Sequence, residues 1–272
     1  MTAEEPSDAG AFRSIRLELA DGVARLTLAR PQRLNALDPE MLVELLRALR
    51  LVAGSRDTRV LVLTGEGRAF CAGVDLDTPF FMEDVESDSV FEGMRLLDWQ
   101  HELILALHEL PQPTIAAVNG DAIGGGGFGM AMACDMRFAV TEARFWMVPR
   151  QLNVVQDFGL TWSLQRQIGS ARTMELVFSG RRVTAEEGQR LGFLNGCFAE
   201  LPSLVQHVDG LAATIASMGT DATRMLKQVV RNGETSSLHD QLRFEAVANS
   251  LCFTSTEFDT AKAAVLRRLG KR

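Results

Sequence analysis

Apolar and polar residues alternate from Ser14 to Leu19 and again from Val23 to Leu28, with Asp21-Gly22 between the two runs. A period of two centred on an Asp-Gly pair predicts two antiparallel strands joined by a tight hairpin. The period then changes. Met41, Leu42, Leu45, Leu46, Leu49 and Val52 fall on one face of a helix over Pro39 to Val52, with Asp38 placed to cap it and Pro39 at its first position. Val60 to Thr64 is an unbroken apolar run between charged residues, as in a parallel strand covered on both faces. Strand, helix, strand in that order make a βαβ unit.

Residues 77–93 are acidic with interspersed Phe and show no period, which predicts a mobile loop. Helical spacing resumes from Met94 to Leu110 and is stopped by Pro111 and Pro113 before a strand over Thr114 to Val118. The glycines from Gly124 to Gly127 lead into a small-residue helix, Phe128 to Cys134, and a strand, Met136 to Val140. Helical patterns follow at Thr161 to Ile168, Thr173 to Ser179, Thr184 to Leu191, Leu204 to Met218 and Thr220 to Asn232. The plan is an α/β core over residues 12–200 followed by a helical region over 201–272.

Composition narrows the chemistry. The 272 residues are 46% hydrophobic and 23% charged with only 8 Pro, enough for a substantial core and too apolar for wholesale disorder. No Tyr occurs, so a mechanism needing a phenol is excluded. The formal charge of −7 argues against a nonspecific grip on nucleic acid. The His (101, 108, 207 and 239) and Cys (71, 134, 197 and 252) show no metal-ligand spacing, so no metal site is expected. Cysteines in apolar runs suit buried thiols in a reducing compartment, and the cytoplasm is the expected location. Met1 to Gly10 is acidic and no run reaches 18 apolar residues, which predicts neither a signal peptide nor a membrane span.

Two glycine-bearing loops each connect a strand to a helix: Arg68 to Leu76 after the Val60 strand, and Asn119 to Gly127 after the Thr114 strand. Glycines in either loop alone would serve only turns and close packing. Side by side, two such loops offer paired main-chain N–H donors to a developing oxyanion.

Arg30-Pro31-Gln32-Arg33-Leu34-Asn35-Ala36-Leu37, then Phe70-Cys71-Ala72-Gly73-Val74-Asp75-Leu76, then Ala116-Ala117-Val118-Asn119-Gly120 with its glycine run, then Ala131-Met132-Ala133-Cys134-Asp135 resemble the enoyl-CoA hydratase/isomerase (crotonase) superfamily in order and spacing. The likeness runs from about residue 14 to 268. It implies an α/β crotonase (ClpP-like) spiral of ββα units, with a helical region forming homotrimers or hexamers built as dimers of trimers. It also implies an acyl-CoA thioester substrate and no cofactor beyond the coenzyme A of that substrate. By resemblance the Val74 and Gly126 amides hold the thioester oxygen. Arg33, Leu34, Ala36, Ala72, Asp75 and Leu76 lie along the CoA, and Phe253 stands where a neighbouring subunit helps to hold it. The lysine that assists there in the family falls on Asp259, with Lys262 nearby.

The departures bear on the reaction. The two glutamates with which hydratases of this family add water fall on Gly129 and on Pro149 or Arg150. Asp157 remains in the right stretch, at a loop-to-helix junction between apolar residues where desolvation would raise its pKa. From the residues alone it reads as a helix cap. The pattern Asp157-x-Gly159-x-Thr161-Trp162-x-Leu164-x-Arg166 resembles the 1,2-epoxyphenylacetyl-CoA isomerase and enoyl-CoA isomerase branch, which implies an aspartate shuttling a proton. His101 matches the histidine that aids an aspartate nucleophile in 4-chlorobenzoyl-CoA dehalogenases, although Pro149 takes the place of their tryptophan. A double-bond isomerase using Asp157 is the leading expectation. The alternatives are a hydratase or hydrolase using Asp157 with His101, and an acyl-CoA binding protein without turnover. Phe80, Phe81 and Phe91 would favour an apolar or aromatic acyl group.

Overall fold

The computed structural model describes residues 12–78 and 90–270. Strands β1 (Ile15–Ala20) and β2 (Val23–Leu28) pair antiparallel from Ile15 opposite Leu28 to Ala20 opposite Val23. Asp21 and Gly22 both take positive φ, 51° and 80°, the two-residue turn whose twist matches that of the strands. Helix α1 (Pro39–Gly54) starts where Asp38 accepts the Met41 N–H at 2.8 Å, and it buries the face from Met41 to Val52.

The rest of the core is a repeated path through two sheets. β3 (Val60–Gly65) continues into β4 (Ala69–Cys71), β5 (Thr114–Val118) into β6 (Asp121–Ile123), and β7 (Met136–Val140) into β8 (Arg144–Trp146). The longer members join a six-stranded sheet in the order β1-β2-β3-β5-β7-β10, parallel except for β1, with β10 at Gly196–Phe198. The shorter members form a second sheet, β4-β6-β8-β9, closed by the antiparallel β9 (Val183–Thr184). This is the spiral of strand pairs and helices that the sequence implied. Two buried amides pin its first corner: Asn35 donates to the carbonyls of Glu66 and Ala69, and Asn119 donates to Gly67 and accepts from the Gly65 amide.

Helix α2 (Val90–His108) begins four residues earlier than the apolar spacing predicts, so the end of the expected 77–93 loop is helical. Phe80 and Phe81 lie outside the described residues, and Phe91 stands exposed on α2. The glycine run is wound as a π-turn over Gly125–Gly129 and passes into a short α3 (Met130–Ala133) instead of forming one small-residue helix. α4 (Pro149–Leu152), α5 (Leu160–Ile168), α6 (Ser170–Ser179) and α7 (Ala185–Leu191) follow. α8 (Leu201–Ala216) buries Leu204, Val208 and Ala212 and contacts the six-stranded sheet. α9 (Thr220–Asn232), α10 (Leu238–Phe253) and α11 (Thr256–Arg268) complete the chain. Among the described residues no helix is long and apolar enough to cross a membrane.

Candidate active site

The two glycine-bearing loops meet at Val74 and Gly126. Leu37 pairs with Val74 in an isolated parallel bridge, in which the Leu37 N–H donates to the Gly73 carbonyl at 2.7 Å and the Asp75 N–H donates to the Leu37 carbonyl at 2.8 Å. In such a bridge the bonds are made by the flanking residues, so the Val74 N–H points to the opposite side. Gly126 stands there. A Cβ on it would lie 3.2 Å from the Val74 nitrogen and 3.0 Å from the Gly73 carbonyl carbon, so only glycine allows this approach. Gly126 is in the first turn of a helical segment, where amides lack an intrahelical acceptor.

Beside these amides is a cavity of about 170 Å³, lined by Val74, Leu76, Gly125, Val148, Gln156 and Asp157 among others. Asp157 is the one titratable side chain among the described residues lining it. The carboxyl does not cap α5: the cap position is Gly159, and no side chain bonds there. Burial pushes the Asp157 pKa above its ordinary value, while the nearby His101 works in the opposite direction. Gln156, itself buried, donates to the Asp157 carbonyl at 3.2 Å and to its carboxylate at 3.5 Å. Its own Oε1 has no donor among the described residues.

The turn that presents Asp157 is strained. Phe158 has φ 53° and Gly159 φ 62°, and a left-handed bulky residue persists only where its surroundings over-determine it. Three features do so here. The Phe158 ring is fully buried against Gly125, whose Cβ would fall 2.4 Å from the ring. Its Cβ and carbonyl oxygen lie 3.1 Å from where a Gly129 Cβ would be. Its N–H donates to His101 Nε2 at 3.4 Å, with the two rings edge to face at 5.6 Å between centroids. His101 therefore stands behind the turn, and it does not line the cavity. On the far side of the same turn lies a second chamber of about 420 Å³, lined by Ile104, Leu105, Gly129, Met132, Phe158 and Trp162 among others.

The positions that hold glutamates in two-carboxylate hydratases are thus spent. Phe158 fills the space over Gly129, and Arg150 is exposed on α4 and is not among the residues lining the cavity. Of the residues expected along the CoA, Ala72 and Leu76 line the cavity. Leu34 takes a left-handed φ of 54°, and the Ala36 carbonyl accepts from Arg30. Arg33 and Asp75 are committed to each other. Arg33 donates to Asp75 Oδ1 at 2.9 Å and to Asp77 at 2.6 Å, and Arg30 reaches Asp75 Oδ2 at 3.1 Å. Burial alone would raise the Asp75 pKa, but the hydrogen bonds from Arg33, the Asp77 amide and Arg30 outweigh it and hold the carboxyl below its usual range. Phe253 is exposed on α10 beside Phe258, with ring centroids 5.1 Å apart, and is not among the cavity's lining residues. No three His, Cys, Asp or Glu side chains converge on a metal position among the described residues.

Sequence reasoning did not single out Gln156 or Phe158 for the site. Both sit within the quoted Asp157 stretch, but their roles depend on contacts with distant glycines and with α2.

Comparison with known proteins places these features in a wider set. The sequence profile described as enoyl-CoA hydratase/isomerase matches residues 18–266. A 1,2-epoxyphenylacetyl-CoA isomerase of Escherichia coli is 34% identical over 247 residues, covering 91% of this chain and 93% of that protein. A probable enoyl-CoA hydratase of Rhodobacter capsulatus is 33% identical over 261 residues, covering 94% and 96%. Among solved structures, a Thermobifida fusca protein in complex with CoA superposes with a TM-score of 0.79 at 30% identity, covering 92% of this chain and 95% of that one.

Proposed function

Since the chain belongs to the enoyl-CoA hydratase/isomerase family, we propose that it is an acyl-CoA isomerase in which Asp157 alone moves the proton that shifts a double bond. The observation that carries this reading is a half-buried carboxyl as the only titratable group described on the cavity wall, and the expected hydratase glutamate positions, Gly129 and Pro149 or Arg150, add no carboxylate to it.

The thioester oxygen would lie between the Val74 and Gly126 amides. Asp157, as carboxylate, takes a proton from the carbon beside the double bond, and the electron pair moves toward the thioester oxygen as an enolate. Each fixed amide can stabilise that charge by about 3 kcal/mol in a dry site. The protonated Asp157 then returns the proton at the other end of the conjugated unit, and the carbonyl reforms. Burial suits Asp157 to this double duty, because a raised pKa makes the carboxylate a stronger base and lets the acid persist between steps. No water is activated, so no second acid is required. Enzymes of this family need no cofactor beyond the CoA of the substrate. Here the backbone near Leu34 and Ala36, with Ala72 and Leu76, would run along its pantetheine, while the Arg33–Asp75 pair stiffens that wall. The apolar residues exposed on α10 and α11 support assembly into a trimer or a pair of trimers.

Asp157→Asn is expected to slow double-bond migration about 10³-fold, the ordinary worth of a positioned acid-base group, with acyl-CoA affinity held within a few fold. Turnover close to wild type in that variant would remove the reading. A second reading, water addition or thioester hydrolysis by Asp157 with His101, is favoured by the contact of His101 with the Asp157 turn and by the hydratase names of many relatives. Oxygen-18 from solvent in the product would establish it, and an unlabelled isomer would exclude it.

A further inference from the structure

We propose that Phe158 ends the acyl pocket and restricts the enzyme to compact acyl groups, of about six carbons or a single ring. The inference rests on the reading of the Asp157 cavity as the acyl site. An apolar cavity of about 150 Å³ takes one benzene ring, and the cavity beside Val74 and Asp157 measures about 170 Å³ with its stretch along Ala72 and Leu76 included, so the acyl group has at most one ring's worth of space. A chamber of about 420 Å³ lies beyond, with an apolar wall from Ile104, Leu105, Met132 and Trp162 along which a longer chain would run and a charged rim that includes Asp135, Arg166 and Arg231. What separates the two is one turn. Asp157 and Gly125 face the small cavity, and Phe158 and Gly129 face the large chamber.

The ring that closes this route is held against slipping. The ring packs over Gly125, the Phe158 Cβ and carbonyl lie against Gly129, and His101 Nε2 takes the backbone N–H of Phe158. Its φ of 53° is an unfavourable one for phenylalanine, so the ring keeps this position because the packing keeps it there. The residue that occupies the old glutamate position over Gly129 is therefore also the stop of the pocket. An aspartate-only reaction and a short acyl limit come from the same side chain.

The test is the affinity of saturated butyryl-, octanoyl- and dodecanoyl-CoA, measured by titration calorimetry on wild type, Phe158→Ala and Phe158→Leu. Saturated thioesters remove turnover from the reading. Wild type is expected to bind octanoyl- and dodecanoyl-CoA no more tightly than butyryl-CoA. Phe158→Ala is expected to gain about fourfold in affinity for each further methylene it buries, with Phe158→Leu between the two. Should the alanine variant fail to fold, the leucine variant decides by the same ratio. Equal dodecanoyl-to-butyryl ratios in wild type and folded variants would overturn the proposal, as would a wild type whose affinity climbs steadily with chain length. Absence of binding to every acyl-CoA would overturn the proposed function instead, and this inference with it.

Discussion

Gly129 and Phe158 decide between them what Asp157 can do. A Cβ at position 129 would meet the Phe158 Cβ and carbonyl oxygen at 3.1 Å, so the side chain of Gly129→Glu starts against the backbone turn that presents Asp157. That variant is expected to lose about 1–3 kcal/mol by overpacking and to gain no hydration activity. Thermal unfolding and an enoyl-CoA hydration assay together check both halves. Asp157 carries a cost of its own. Its pKa is raised by burial, so the native state binds the proton more tightly than the unfolded chain does. The stability contribution of that proton is complete below the ordinary carboxylate value and is lost as pH rises through the raised native value. Asp157→Asn should therefore raise Tm at pH 7 and lose this advantage near pH 3, while removing activity; an advantage equal at both pH values would contradict it. Sequence alone left Asp157 as a helix cap, because capping and catalytic aspartates share the same short-range surroundings. Family resemblance pointed to a base. The empty capping role and the cavity wall are contacts across the fold, and no local pattern encodes them.

At the scale of elements, legibility followed length and period. The hairpin and α1 were readable because Asp21-Gly22 and Asp38-Pro39 carry their own turn and cap chemistry, seen in the two positive φ values and the Met41 N–H bond. β4, β6 and β8 have three residues each, too few to show a period of two, so the second sheet was hidden within what read as loops. The start of α2 at Val90 was hidden for another reason, since the acidic stretch before it has no break in character. Asp135 gathers two of the bonds that fasten α9 to this core, beside those from Arg224 to the Ser55 carbonyl and from Lys227 to the Gln112 carbonyl. Asp135 receives Lys227 at 2.8 Å and Arg231 at 2.6 Å, and also the amide and hydroxyl of Thr114 at the start of β5. Lys227 is almost fully buried, so Asp135→Ala leaves a buried cation with the Gln112 carbonyl but no counter-charge and should cost about 3 kcal/mol. Hydrogen exchange should then quicken across Thr220–Asn232 ahead of α1; protection unchanged in α9 would show that its other bonds and packing hold it without Asp135.

The whole molecule keeps its apolar residues in two different states. The central sheet of the spiral buries them completely, as along Val60 to Leu63, whereas α10 and α11 present Leu238, Leu242, Val247, Leu251 and Val265 to solvent in the single chain. Sedimentation is expected to give three or six chains per particle, and Leu251→Asp to reduce that number; an unaltered particle would place the contact elsewhere. The same division sets the behaviour of the thiols. Cys71 and Cys134 sit fully inside, and burial pushes both up to about 12, so at neutral pH they are neither ionised nor reachable. An alkylating reagent can modify them only during an excursion in which β4 or the end of α3 leaves the core. Their labelling rate is thus a clock for the opening of the subunit, readable by mass spectrometry without any added probe. By the same logic, oxidation of these two thiols is limited by how often the core opens, whereas the half-buried Cys197 and Cys252 need no such opening.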